Sequence, residues 1–497
     1  MVYDKKNLSP TGPLSMAFLA GCAVLCISVR ARADELYEAA RELRAKHTAQ
    51  LEQLADWCEQ QGLTEEAEKT RQVYGRHDPF KVYLPVLPAQ NGRDPLPAGE
   101  SAELVEWDAR IGRLRRDQAN ELYEFARRAI RGQRASLAYE LVLAASRANP
   151  DHEAARRILG YEEYAGRWHT FFELDQFRAG KVCHEQFGWL PGSHVRRYEQ
   201  GERFTGRSWV TAAQDAALHR DIDTGWLVET EHYAIRTNHS LEAGVQLGVK
   251  LERLFGYWEQ LFIRYYASEA YVQALFDGRA RNRRVQTPRF HVVFFRDRND
   301  YNRMLRAAMP NVEMSTGVYF QQVQRAYFFA GEGYEDRTLY HEATHQLFHQ
   351  SRPVAPRVGA RSNFWIIEGI AMVMESLRRE GDYYVLGGFD DDRMYAARYR
   401  LLQDDFYVPL AEFTTYGMER LQSDPRIATL YSQAAGLANF LVFHDSGRYR
   451  DALVAYLTTV YSGRDTPQTL AELTGVPYED LDKQYREFTE ESVWQGK

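Results

Sequence analysis

Apolar positions between Asp34 and about Trp168 recur at three- and four-residue spacing, among Ala, Glu, Arg and Leu with few β-branched residues, which predicts a run of helices. Residues 169–225 are rich in aromatics and glycines but keep no sustained period, and read as a linker that packs on something. At Trp226 the pattern changes. "WLVETEHYAIRTN" alternates as a strand does, "SLEAGVQLGVKLERLFGYWEQLFIRYY" has one apolar helical face, and "RFHVVFFRD" reads as a buried strand. "TGVYFQQVQRAYFFAG" alternates on both sides of a polar turn, as a hairpin would, and helices follow to the C-terminus. Strands first and helices afterwards make residues 226–497 an α+β domain behind a helical region at 34–168.

The helical region contains a period of its own. In residues 119–152, Leu122, Phe125, Ala126, Ala138, Val142, Ala145 and Pro150 take the small, apolar and helix-ending positions of a 34-residue tetratricopeptide-like unit. An earlier copy begins at 48 with Leu51, Leu54, Ala55, Ala67 and Pro79, and Leu159-Gly160 opens a partial third. Close helix packing needs the alanines, and each proline stops a helix. The register turns Cys58 into that packing. Between the units, "VYLPVLPAQNGRDPLPAG" reads as an extended connector. Because such repeats contact mainly their neighbours, removing 34–168 is expected to leave the rest foldable, and the repeats offer a surface to a protein partner.

The first residues carry an export signal. Lys5 and Lys6 precede an apolar run from Leu14 to Val29, and Ala31-Arg32-Ala33 supplies small residues for cleavage before Asp34. Leu19-Ala20-Gly21-Cys22 also fits a lipoprotein box, and an uncleaved anchor is a third outcome; each places the body outside the cytoplasm, secreted or periplasmic, with membrane attachment only through that anchor or lipid. A chain of 497 residues, 44% hydrophobic and 26% charged, is globular and too long for one ordinary core. Its net charge of −7 and the single short basic loop at Arg279–Arg284 argue against nucleic acid as a partner. Beyond the signal only Cys58 and Cys183 remain, which allows one disulfide and no framework, and the absence of any CxxC excludes a thiolate zinc site.

The chemistry concentrates in "LYHEATHQLFHQ", residues 339–350. His341 and His345 are four apart, so on a helix both imidazoles face one point. Glu342 is turned by about 100° and can reach a water there. His349 continues the face, but three successive turns span about 12 Å, too far to close round one ion. Glu368 suits a third ligand better: it is an acid in the apolar segment "FWIIEGIAMVMES", delivered by a second helix after the 22 residues from Gln346 to Ile367. Glu375, seven residues on, shares that face and is placed to orient a histidine from behind or to hold the helix pair by a salt bridge.

HEATH followed by Trp365, Glu368, Gly369 and Ala371 resembles the gluzincin zinc metallopeptidases. The likeness extends over most of the chain to exported bacterial proteins of that clan that carry a helical-repeat arm. It implies a thermolysin-like catalytic domain with a small mixed sheet and a helical subdomain. His341, His345 and Glu368 would bind Zn2+, and Glu342 would act as general base toward a peptide or protein substrate. By the same resemblance Tyr431, in "LYSQAAGLANFLVF", matches a tyrosine that stabilises the tetrahedral intermediate, and Thr316, Gly317, Val318 and Tyr319 match an edge strand that binds extended substrate. The exopeptidase signature Gly-x-Met-Glu-Asn is absent, and Ser315 to Tyr319 stand in its place, so aminopeptidase specificity is not implied. Two alternatives remain open at this stage: a repeat-based interaction protein with a weakly active or inactive domain, and a zinc amidase acting on cell-wall peptide.

Overall fold

The computed structural model describes residues 14–73, 78–87, 96–97, 99–280, 289–332 and 335–491, and of residues 14–34 the backbone alone. The signal at 1–33 with Cys22 is outside the described residues or side chains, as are most of the basic loop and the centre of the proline-rich stretch. No helix among the described residues is long and apolar enough to cross a membrane.

The fold is α+β, mostly helical with small sheets. Helices α1 (Leu14–Gln60) and α2 (Thr64–Gln72) form one helical hairpin, and α3 (Ala102–Arg131) and α4 (Ala135–Ala148) form another. Between them lies strand β1 (Lys81–Pro85). The small residues that the period assigned to close packing are fully buried, Ala55 and Cys58 in the first hairpin and Ala126, Ala138 and Ala145 in the second. Cys58 and the exposed Cys183 are both free thiols.

Residues 161–168 differ from the helix, and residues 169–218 from the linker, expected of them. They form three consecutive β-hairpins, each followed by a short helix: Tyr161–Tyr164 with Arg167–Thr170, Lys181–His184 with Gly188–Pro191, and Glu202–Phe204 with Trp209–Thr211. Each second strand carries a tryptophan, Trp168, Trp189 and Trp209, and reciprocal capping boxes at Thr170 and Thr211 start two of the helices. A boundary at 168 would cut the first hairpin, because the change from helix to strand comes at Tyr161.

Five strands make the main sheet: β2 (Trp226–Glu229), β3 (Tyr233–Thr237), β4 (Phe290–Phe295), β5 (Val318–Phe320) and β6 (Arg325–Phe329), in the order β5-β6-β4-β3-β2. β4 runs parallel to β3 and β6, and the outer strands are antiparallel to their neighbours. Helices α5 (Leu241–Leu261) and α6 (Asp336–Gln350) pack on this sheet. Helix α7 (Phe364–Glu375) follows and lies against α6 and α9 (Ile427–Gly447). A Cβ at Gly369 would come within 2.5 Å of the Ala434 carbonyl oxygen, so glycine permits α7 and α9 to touch there. The start of α7 is pinned at Asn363, in left-handed backbone, whose amide donates to Asp465 at 2.8 Å and accepts from the Tyr456 hydroxyl at 2.5 Å.

Two further strands, β7 (Arg378–Glu380) and β8 (Tyr383–Gly387), come directly after α7, and β1 pairs antiparallel with β8. Helices α8 (Asp392–Leu402) and α10 (Arg450–Tyr461) flank α9 in sequence. The helical arm is therefore built into the molecule. Val82 and Leu84 of β1, with Ala138 and Val142 of α4, share one continuous hydrophobic core with Leu251, Leu347, Trp365 and Leu441. Ion pairs join Arg41 to Asp445 and Arg450 to Glu140, and the Ser136 hydroxyl donates to Asp451 at 2.9 Å. This reverses the expectation of a separable arm. A chain lacking 34–168 loses the strand paired with β8 and bares the apolar face beneath it. It should aggregate or bind hydrophobic dye, and a monodisperse product with a cooperative thermal transition would disprove the shared core.

Candidate metal centre

Helix α6 lies on the sheet through an apolar face of Leu339, Ala343 and Leu347, all fully buried, and Gln346 donates its amide to the His291 carbonyl at 3.0 Å. That seating leaves His341 and His345 facing α7 across one turn. Their Nε2 atoms are 3.1 Å apart, and Glu368 brings Oε2 to 3.5 Å from Nε2 of His341 and Oε1 to 3.8 Å from Nε2 of His345. Nitrogen and oxygen ligands held tetrahedrally at about 2.0–2.2 Å from an ion stand about 3.3–3.6 Å from one another, so the three groups are spaced to hold a metal ion. The side chains of His341, His345 and Glu368 keep 17%, 13% and 13% of their surface in contact with solvent, which leaves a ligand access from outside.

Glu342, one residue from the first histidine, turns instead toward the sheet edge. Its Oε2 accepts from the backbone N–H of Tyr319 on β5 at 2.8 Å. Burial raises its carboxyl, the His341 charge and the Tyr319 hydrogen bond lower it, and it settles at about 7, in the range of a group that exchanges protons near neutrality. On the far side of His341, Nδ1 donates to Glu375 Oε1 at 2.8 Å, so Nε2 faces Glu368 and is the nitrogen left for an ion once the ring gives up its second proton. Since His341 is level with Glu375 and His345 with Glu368, α6 and α7 run in opposite directions.

Burial opposes charge on His341, but hydrogen bonds to Glu368 and Glu375 outweigh it and raise its pKa to about 10. His345, held by burial, falls to about 4. Burial also works against the Glu368 charge, yet neighbouring His345 and His341 keep it below the usual carboxylate range. Tyr431 enters from the first turns of α9. Burial, and after it the charge of nearby Glu368, push its hydroxyl up. The tyrosine singled out in the sequence thus lies near Glu368.

Of the edge-strand residues, Val318 and Tyr319 belong to β5, and the Thr316 hydroxyl meets that of Thr338 on α6 at 3.0 Å. A Cβ at Gly317 would sit 2.8 Å from Thr338 and 2.9 Å from Phe328, so only glycine lets the chain pass between helix and sheet there. His349 stays outside the ligand group, its ring between Tyr319 and Tyr461, and burial lowers it to about 4. Two residues that touch the site were not read from the sequence, Arg393 and Arg337. Arg337 stands four before His341, so helical spacing alone could have placed it on the same face. Arg393 leaves no local sign.

Neither curated proteins nor solved structures yield a match to the chain. Residues 336–465, about a quarter of its length, match a family model described as "Protein of unknown function (DUF1570)", and that stretch holds His341, Glu342, His345, Glu368, Glu375 and Tyr431 together.

Proposed function

We propose that the chain is a zinc-dependent hydrolase of peptide bonds, of gluzincin type, acting outside the cytoplasm. The observation that carries the reading is the meeting of His341, His345 and Glu368 within reach of one ion, with Glu342 turned off the ligand set and Tyr431 brought near from a third helix. Two imidazoles and one carboxylate are the donor set of catalytic zinc, which keeps a fourth position for water. Bound there, the ion would supply Lewis acidity and bring the pKa of a water toward 7. Glu342 takes the proton of the attacking water and later hands it to the leaving amine. The Tyr431 hydroxyl donates to the developing oxyanion. β5 binds one to three residues of extended substrate along its outer edge, and Glu342 ties that strand to the reacting centre through the Tyr319 N–H. The two buried-alanine hairpins of the arm, read as tetratricopeptide-like, offer a surface for a protein partner.

The test is metal content of the purified chain together with digestion of a broad peptide library. Close to one zinc per chain and cleavage abolished by chelation are expected. Undiminished cleavage by metal-free protein would overturn the reading.

Uptake of zinc should also release a proton. Between about pH 7 and pH 10 metal-free His341 is charged, and a ligand cannot be. The metal-free form therefore binds one proton more, so raising the pH favours uptake. Zinc affinity, measured by chelator competition at pH 7, 8 and 9, should rise about tenfold per unit. A flat profile would mean that His341 is already neutral.

A further inference from the structure

Behind His341 the structure holds a second layer of charge whose members come from three successive helices, α6, α7 and α8. Glu375 is 6% exposed, and its carboxylate receives His341 Nδ1 on Oε1 at 2.8 Å. Left with that single donor, a buried carboxylate would be short of partners and free to turn. Arg393, in the first turn of α8, closes it from the other side: Nε donates to Oε2 at 2.9 Å and Nη2 reaches Oε1 at 3.4 Å. Arg337, one turn before His341 on α6, brings Nε to 3.7 Å from the same Oε2. Asp391 anchors both arginines. It caps α8 by accepting from the Arg393 backbone N–H at 2.9 Å, and it pairs with the Arg337 fork at 3.0 Å, which Asp392 shares at 2.8 Å.

We infer that Arg393 and Arg337 are positioning residues for the metal centre: they clamp the Glu375 carboxylate so that it fixes the His341 ring and leaves Nε2 aimed at the ion. The inference rests on the reading of the site as a zinc centre and adds to it the groups that hold its geometry. Guanidinium suits the task because its planar fork meets two carboxylate oxygens at once, whereas an ammonium fixes only one direction. The cluster also offsets charge. Glu342, Glu368, Glu375 and Asp391 crowd around two histidines, and a dication with two arginines balances them where water does little of the screening. Arg393 itself is half exposed, and among the described residues its head group is bonded to Glu375 alone.

The experiment is a double-mutant cycle on zinc affinity, read by chelator competition, with thermal melts of the metal-free proteins alongside. Arg393→Met should weaken zinc roughly tenfold, the lower end of what outer partners of metal ligands contribute, and Arg393→Lys should restore part of the loss. In a Glu375→Gln background Arg393→Met should change affinity no further, since the carboxylate through which it acts is gone. With cobalt in place of zinc, the visible absorption of the Arg393→Met protein should shift and return toward wild type in Arg393→Lys. Unchanged zinc affinity in Arg393→Met, or the same loss with and without the Glu375 carboxylate, would overturn the inference while leaving the zinc reading intact. A wild-type chain that takes up no zinc would overturn both.

Discussion

Glu342→Gln should keep zinc and fold while lowering turnover by at least about 10²-fold, the scale of losing a general base. The amide is isosteric and can still accept the Tyr319 N–H at the position where Glu342 Oε2 accepts it at 2.8 Å, so β5 stays tied to α6. It cannot take a proton. The variant therefore separates chemistry from metal binding at neighbouring residues. Zinc stoichiometry should stay near that of wild type while kcat on the best library peptide collapses. Full activity in this variant would refute the proposed mechanism. Tyr431→Phe is the milder companion: it removes one oxyanion donor and should cost roughly 10 to 10³-fold in kcat with KM little changed. Because the same hydroxyl lies near Glu368, zinc affinity should also be measured; a loss there would assign Tyr431 to holding the ligand instead.

The parts of the site that were legible in sequence are those set by helical geometry over a few turns. His341 and His345 converge because four residues make a turn, and Glu368 and Glu375 share a face because seven make two. An acid in an otherwise apolar helix signals a burial that needs a partner, and both acids of α7 have one. What spacing could not show is how distant segments meet. β1 pairs with β8 across some three hundred residues, and its sequence, KVYLP, runs into a proline-rich stretch that reads as connector. The three hairpins escaped for the opposite reason. Their strands are three or four residues long, too short for alternation to register, and the recurring tryptophan is the sign that could have revealed them. Arg393 was hidden because a surface arginine in a polar helix looks like any other until Glu375 lies beside it. Tyr431 was found through resemblance alone, since nothing in the period of α9 distinguishes it.

Replacing Glu368 and His349 in parallel decides which is the third ligand. Glu368→Gln exchanges an anionic donor for a neutral amide between two imidazoles whose Nε2 atoms are 3.1 Å apart. It removes the negative charge that offsets a dication in a recessed site, and it leaves Tyr431 facing an amide instead of a carboxylate. Zinc affinity should fall by more than about 10²-fold, beyond the range expected when only an outer partner is lost. His349→Ala removes a ring that packs between Tyr319 and Tyr461 and touches no ligand atom. Its Nδ1 is buried without a hydrogen-bond partner, so the substitution breaks no bond at that atom and opens a space lined by two tyrosines. Stability should drop by about 1–3 kcal/mol through lost packing, and zinc affinity should stay within about threefold of wild type. Chelator competition on the three proteins gives the answer directly. If His349→Ala released the metal and Glu368→Gln kept it, the ion would sit one turn further along α6, and the ligand set drawn from α7 would be wrong.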